Sequence, residues 1–230
     1  MQPDALATLF PPGIVAVSAD AAALWDAPLH PGDAATIADA VASRQREFAV
    51  GRACAREALA RLGVAVGAIP RTEQRAPAWP DAATGSITHC RAYCAAAVAL
   101  RENVRALGFD AERTGRVTRP ILERVTTEPE RQALAALSRE QGAVDWPTLV
   151  WCAKESVLKC LASATGRMPG PREIAIELAP ERFTARLLSA DLAGVGLTEL
   201  QGRTACRGSL VLAGVALPLA NGPAATGGLP

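Results

Sequence analysis

Three carboxylates and two ammonium groups stand out because their spacing would gather them on regular elements. In LGFDAER, residues 107–113, strand alternation puts Leu107, Phe109 and Ala111 on a core face and Asp110 and Glu112 together on the other. Two carboxylates held side by side repel unless a cation or proton neutralises them. Hard oxygen donors of this kind suit Mg2+, which keeps several waters and joins substrate phosphates. Taken alone, an acidic pair of this spacing is more commonly the solvent face of an ordinary strand. WCAKESVLKCL, residues 151–161, supplies a second element. Leu149, Ala153, Val157 and Leu161 recur at helical spacing as a buried stripe, and Trp151, Glu155 and Lys159 stack four apart on a neighbouring face. A Glu-to-Lys pair by itself would only support the helix weakly. With a Trp on the same face and both Lys154 and Lys159 at hand, the segment reads as the wall of a phosphate site.

The elements that must position these groups can be read along the chain. Ile14-Val15-Ala16-Val17 is a strand, and SRQREFAVGRACAREALARL, residues 43–62, is a helix with Ser43 as start signal and Gly63 as stop. Gly67 to Pro80 is a polar connection carrying prolines. TGSITH and YCAAAVAL are two short strands, and Ala106 to Ala111 is another. A charged stretch from Arg113 to Arg131 leads into a helical segment ending near Ser138, followed by a helix from Pro147 to about Ala162. Ile174 to Leu178 and Leu210 to Leu217 are strands, and the Gly- and Pro-rich tail from Asn221 is expected to be disordered. The pattern is a mixed α/β (α+β) body dividing near residue 104, into residues 1–103, residues 104–220 and the tail 221–230.

Composition narrows the class. Half the residues are hydrophobic, so a packed core is available, and a net charge of +1 argues against a nucleic-acid binder. The six cysteines form no Cys-x-x-Cys pair and only two histidines accompany them, which disfavours structural zinc. The first residues lack a charged start followed by an apolar stretch and a small-residue cleavage site, and no apolar run reaches the length that spans a bilayer. The expectation is therefore no signal peptide and a reducing cytoplasm with buried free thiols.

GFDAE and WCAKESVLK resemble the G-I-D-x-E strand motif and the W/F-x-x-K-E-S/A-x-x-K helix motif of the 4′-phosphopantetheinyl transferases of the surfactin and enterobactin type, with Phe109 in place of Ile. GRACAREAL and RAPAWPDAATGSITH are similar to two upstream motifs of that family, with Arg75 where Lys often occurs and Asp81 where Gly is common. The matches run in order from about Arg44 to Lys159. The resemblance implies two similar, pseudo-symmetric α/β subdomains with coenzyme A in the cleft between them. Asp110, Glu112 and Glu155 would hold Mg2+, with Mn2+ as a second candidate. Lys154 and Lys159 would neutralise phosphate, and Lys159 would assist the leaving group. The resemblance also makes Glu155 the general base, a double role left open. Arg44 and Arg52 lie two turns apart on the first helix, with Arg56 one turn beyond, and guanidinium suits the phosphates of coenzyme A. Arg75, Ser86, Thr88 and His89 join this binding set, whereas Trp79 between prolines reads as packing.

The reaction so implied moves phosphopantetheine from coenzyme A to a serine of an apo acyl or peptidyl carrier protein and releases 3′,5′-ADP. Arg113, Arg116, Arg119 and Arg124, interspersed with Val117, Ile121 and Leu122, are expected to dock that carrier, and a monomer suffices. Two other readings use the same acids: a Mg2+-dependent phosphoesterase acting on coenzyme A or a nucleotide, and a non-catalytic module binding carrier protein or coenzyme A.

Overall fold

The computed structural model describes residues 6, 8–20, 22–189 and 197–219. Its first half runs β1 (Ile14–Ser18), α1 (Pro31–Ala34), α2 (Ala42–Arg61), β2 (Ala83–Cys90) and β3 (Tyr93–Leu100). These strands form an antiparallel sheet ordered β1-β3-β2. The second half runs β4 (Val104–Arg113), α3 (Arg119–Val125), α4 (Glu128–Glu140), α5 (Trp146–Thr165), β5 (Ile174–Ala179), β6 (Arg182–Leu187), β7 (Glu199–Arg207) and β8 (Leu210–Pro218). Its sheet is also antiparallel, ordered β4-β8-β7-β6-β5. The protein is thus a mixed α/β body. In each half the chain leaves its opening strand, makes a 20-residue helix, and returns so that its last strand pairs with the first.

Packing follows from residue size. Cys94, Ala96 and Val98 of β3 meet Val50, Cys54, Ala58 and Leu59 of α2 in one core. The alternate residues Ala95, Ala97 and Ala99 join Leu107, Phe109 and Leu212 in a second core shared by both sheets. A strand buried on both faces between tightly packed layers needs such small side chains. The third core lies under α5, where Val150, Ala153, Val157 and Leu161 pack on β5 to β8.

Among the described residues the two sheets share no backbone ladder and are stitched by hydroxyls instead. The Phe109 N–H donates to Ser86 Oγ at 3.0 Å, and the Ala111 N–H donates to Thr88 Oγ1 at 3.0 Å. Each half also contains a buried acid clamp. Asp33 accepts from the Ile69 N–H at 2.8 Å and pairs with Arg56 of α2 at 3.3 Å. Glu130 accepts from the Ile176 N–H at 2.8 Å and pairs with Lys154 of α5 at 2.8 Å. In both, the chain after the long helix is tied back to the helix before it.

Several sequence expectations change. Val41, not Ser43, is the N-cap of α2, and no side chain caps that end, while Gly63 at φ +75° does mark the exit. The charged stretch after β4 contains α3 and the start of α4, the latter closed by a Thr127/Glu130 capping box. Strands β6 and β7 are additional. The tail from Asn221 lies outside the described residues.

Candidate active site

Gly108 decides how close α5 comes to β4. A Cβ built there would stand 1.7 Å from the Ser156 carbonyl oxygen and 2.8 Å from the Cys160 nitrogen, so a side chain would enter the helix backbone. Gly108, Asp110 and Glu112 share this face. The acidic face of β4 is therefore covered by α5 rather than by solvent, and Asp110 is buried.

Asp110 Oδ1 accepts from Thr88 Oγ1 at 3.1 Å and from Lys159 Nζ at 2.6 Å. Lys159 also donates to the Phe109 carbonyl at 3.1 Å, so it is fixed against β4 from α5. Glu112 Oε1 accepts from the Arg113 N–H at 3.0 Å, and its Oε2 lies 3.7 Å from Arg116. Glu155 lines the same cleft, half-buried. Burial pushes its carboxyl above the ordinary range; Lys159 draws it down and Asp110 raises it further. These groups close one end of a cleft of about 330 Å3.

The other end is cationic. Arg44 and Arg52 come from α2, and Arg71 and Arg75 from the connection before β2. The Phe48 ring carries Arg52 at 4.3 Å and Arg71 at 5.1 Å from its centroid, an arrangement that orients both guanidiniums. Arg52 Nε donates to the Ile69 carbonyl at 2.6 Å. Burial lowers its pKa to about 10, a shift that Asp33 opposes and the neighbouring arginines reinforce, which leaves Arg52 a cation at neutral pH. Burial likewise lowers Arg71, helped by Arg44 and Arg75. Arg75 sits at φ +65°, a conformation that disfavours a side chain. His89 completes this end, with Nδ1 3.4 Å from Glu47 Oε2 and Nε2 bonded to Arg44. Burial and Arg44 push the imidazole pKa down, against the pull of Glu47.

Of the residues singled out from sequence, Arg44, Arg52, Arg75, Thr88, His89, Asp110, Glu112, Glu155 and Lys159 line this one cleft, as does Trp151. Ser86 and Lys154 do not line it. The Ser86 hydroxyl is used on the Phe109 backbone, donating to its carbonyl at 3.3 Å as well as accepting from its N–H. Lys154 is fully buried, held by Glu130, by the Pro171 carbonyl at 2.9 Å and by the Ile174 carbonyl. Its ammonium therefore serves the fold, which corrects the expectation of a phosphate-neutralising role. Arg56 is likewise committed to Asp33, and Trp79 packs where a Gly85 Cβ would be. Sequence reading missed Glu47, Phe48 and Arg71. A signal existed for Glu47 and Phe48, since both lie within the helix that carries Arg44 and Arg52. Arg71 shows only as a second arginine in the connection that holds Arg75.

The donor set at the acidic end is carboxylate oxygen throughout, the chemistry of a hard divalent cation. Among the described residues no three acid, His or Cys side chains are grouped closely enough to enclose an ion. An open set of this kind fits a metal that takes its remaining ligands from water and substrate phosphate.

A family model described as the 4′-phosphopantetheinyl transferase superfamily matches residues 106–201, and one described as the 4′-phosphopantetheinyl transferase N-terminal domain matches residues 32–99. The 4′-phosphopantetheinyl transferase Svp of Streptomyces mobaraensis is 38% identical over 200 residues, covering 85% of this chain and 81% of that protein. The chain belongs to the 4′-phosphopantetheinyl transferase superfamily. PptT of Mycobacterium tuberculosis, another 4′-phosphopantetheinyl transferase, is 35% identical over 196 residues, 81% of this chain and 85% of its own. Enterobactin synthase component D of Salmonella typhi is 35% identical over 133 residues, 55% of this chain and 52% of its own. The transferase has coenzyme A and a carrier protein as its partners. No helix among its described residues is long and apolar enough to cross a membrane.

Proposed function

We propose that the two ends of the cleft divide the work of transferring 4′-phosphopantetheine from coenzyme A to the serine of an apo carrier protein, with release of 3′,5′-ADP. The observation that supports this division is the charge pattern: four arginines at one end, three carboxylates and Lys159 at the other. Arg44, Arg52, Arg75 and His89 bind the phosphates of coenzyme A, and Arg71 joins them. Thr88, whose hydroxyl donates to Asp110 and accepts from the Ala111 N–H, instead holds the acidic end in place. Asp110 and Glu112 hold Mg2+, or Mn2+ in its place, with Glu155 as the third acid. The ion would supply charge neutralisation at the pyrophosphate. Glu155, whose carboxyl burial makes more basic, takes the proton of the acceptor serine. Lys159 neutralises the charge that develops on the departing phosphate. Lys154 acts only through the Glu130 clamp.

Residues 1–103 and 104–220 form two subdomains in this reading, acting as a monomer in the cytoplasm. Carrier proteins of this kind are acidic around their serine. Exposed Arg116, 3.7 Å from Glu112, with exposed Arg119 and Arg124 of α3, offers them a docking face, Arg119 being paired with Glu123 at 2.7 Å. Arg113 is instead engaged with the Arg91 and Ala92 carbonyls and Ser209. Charge reversal at Arg119 and Arg124 should raise the Michaelis constant for carrier and leave that for coenzyme A unchanged; equal effects on both would refute the docking face.

Incubation with apo carrier, coenzyme A and Mg2+, followed by mass spectrometry, tests the whole reading. A carrier gaining phosphopantetheine, with the gain abolished by chelator or by Asp110→Ala, is the expected result. Hydrolysis of coenzyme A without adduct would favour a phosphoesterase, and tight binding without turnover a recognition module.

A further inference from the structure

Glu47 is the one acid among the described residues lining the cationic end of the cleft. A carboxylate there opposes an anionic ligand, so its contacts need a reason. Its Oε2 accepts from Arg44 Nη1 at 3.0 Å and lies 3.4 Å from His89 Nδ1. The same Arg44 Nη1 bonds His89 Nε2. Guanidinium has donors only, so the Nε2 it meets must present a lone pair, and a neutral ring must carry its proton on Nδ1, facing Glu47. Arg44, Glu47 and His89 thus form a closed ring of contacts whose hydrogen bonding fixes one tautomer. Lys159 from α5 and Asp110 from β4 also act on the imidazole, with opposite signs.

We propose that Glu47 is a positioning residue for coenzyme A: it holds His89 with Nδ1–H toward itself, so that Nε2 takes a proton from solvent when a phosphate draws Arg44 away. The carboxylate then faces the Nδ1–H of an imidazolium whose Nε2–H donates to the phosphate. A His held this way switches from acceptor to cationic donor only when ligand arrives. This rests on the reading of the cationic end as the coenzyme A phosphate site.

Nitrogen-15 NMR of the His89 ring in the ligand-free protein, and calorimetric titration of coenzyme A in buffers of different ionisation enthalpy, test it together. The free protein should show the Nδ1–H tautomer, and binding at neutral pH should take up close to one proton. Glu47→Ala leaves the Arg44 bond to Nε2 and so should keep the tautomer. It should lose most of the proton uptake, because the imidazolium then has no carboxylate facing Nδ1–H, and weaken coenzyme A roughly tenfold, the scale of one charge-assisted hydrogen bond. Glu47→Gln, whose amide oxygen still accepts from Nδ1–H, should keep the tautomer and lose part of the uptake, which separates positioning from a fold defect. An Nε2–H tautomer in the free protein, or unchanged proton uptake in Glu47→Ala, would overturn the proposal. His89→Asn with unchanged coenzyme A affinity would instead overturn the phosphate-site reading beneath it.

Discussion

On α5 the ammonium of Lys159 reaches Asp110 in the cleft, while that of Lys154 is held by Glu130 and two carbonyls beneath the helix. Replacing Lys154 by Met leaves Glu130 buried without its cation, a change that costs about 3–5 kcal/mol. Thermal denaturation of Lys154→Met should show a large fall in Tm, with the Michaelis constant for coenzyme A unchanged in the folded fraction. Lys159→Met should show the reverse emphasis, a kcat lower by about a hundredfold or more with a smaller change in Tm. Helical spacing could have separated the two from sequence: Lys154 lies four residues from Val150 and Leu158 and three from Val157, inside the apolar stripe. Glu155 gives a pH prediction at the same scale. A general base works deprotonated, so kcat should rise with pH along an acid limb that Glu155→Gln removes. In the metal-free protein burial raises the Glu155 carboxyl. The folded state keeps this proton to higher pH than the unfolded chain. Glu155 therefore lowers stability as pH rises from the ordinary carboxylate range through the raised one. A pH–rate profile whose acid limb survives in Glu155→Gln would contradict the assignment.

At the scale of elements, the site depends on how closely α5 rests on β4. The Gly108 contact fixes that separation, and Gly108→Ala must push the helix away or fail to fold. A destabilisation of about 3 kcal/mol or more is expected from overpacking against backbone. Activity should fall more than residual stability explains, since Glu155 and Lys159 move relative to Asp110; chemical denaturation and kcat on the same sample check this. The G-F-D-A-E pattern shows the glycine, but nothing in one sequence says that a helix backbone presses on it. Periodicity did reveal β4 and α5, because each is long and has one apolar stripe. It failed for β6 and β7: Arg182–Leu187 alternates for only six residues, and Glu199–Arg207 puts Gly202 at a buried position where the Phe183 ring fills the space. The acidic face of β4 followed from alternation, but its covering by α5 is a long-range contact that no local spacing encodes.

For the whole molecule, the cores leave five thiols buried and only Cys206 exposed. Burial raises Cys54, Cys90, Cys94 and Cys160 to about 12 and Cys152 well above its usual value, so none is a thiolate at neutral pH. Titration with a disulfide reagent should find one fast thiol in the native protein and all six after denaturation; more than one fast thiol would mean a looser core. Cysteine count and burial tendency made this readable in advance, as did the mixed fold class, whereas the meeting of Arg71, Glu47 and His89 required the tertiary structure. The hydroxyl stitching between the sheets has a kinetic consequence. Along β4, the Phe109 and Ala111 amides point at β2 and depend on Ser86 and Thr88, while the intervening Asp110 amide points at β8 and depends on a regular ladder. Neighbouring amides of one strand thus sit on two different clocks. In Ser86→Ala with Thr88→Val, amide hydrogen exchange should quicken at Phe109 and Ala111 and stay slow at Asp110, so parting of the two halves can be timed separately from the unfolding of either.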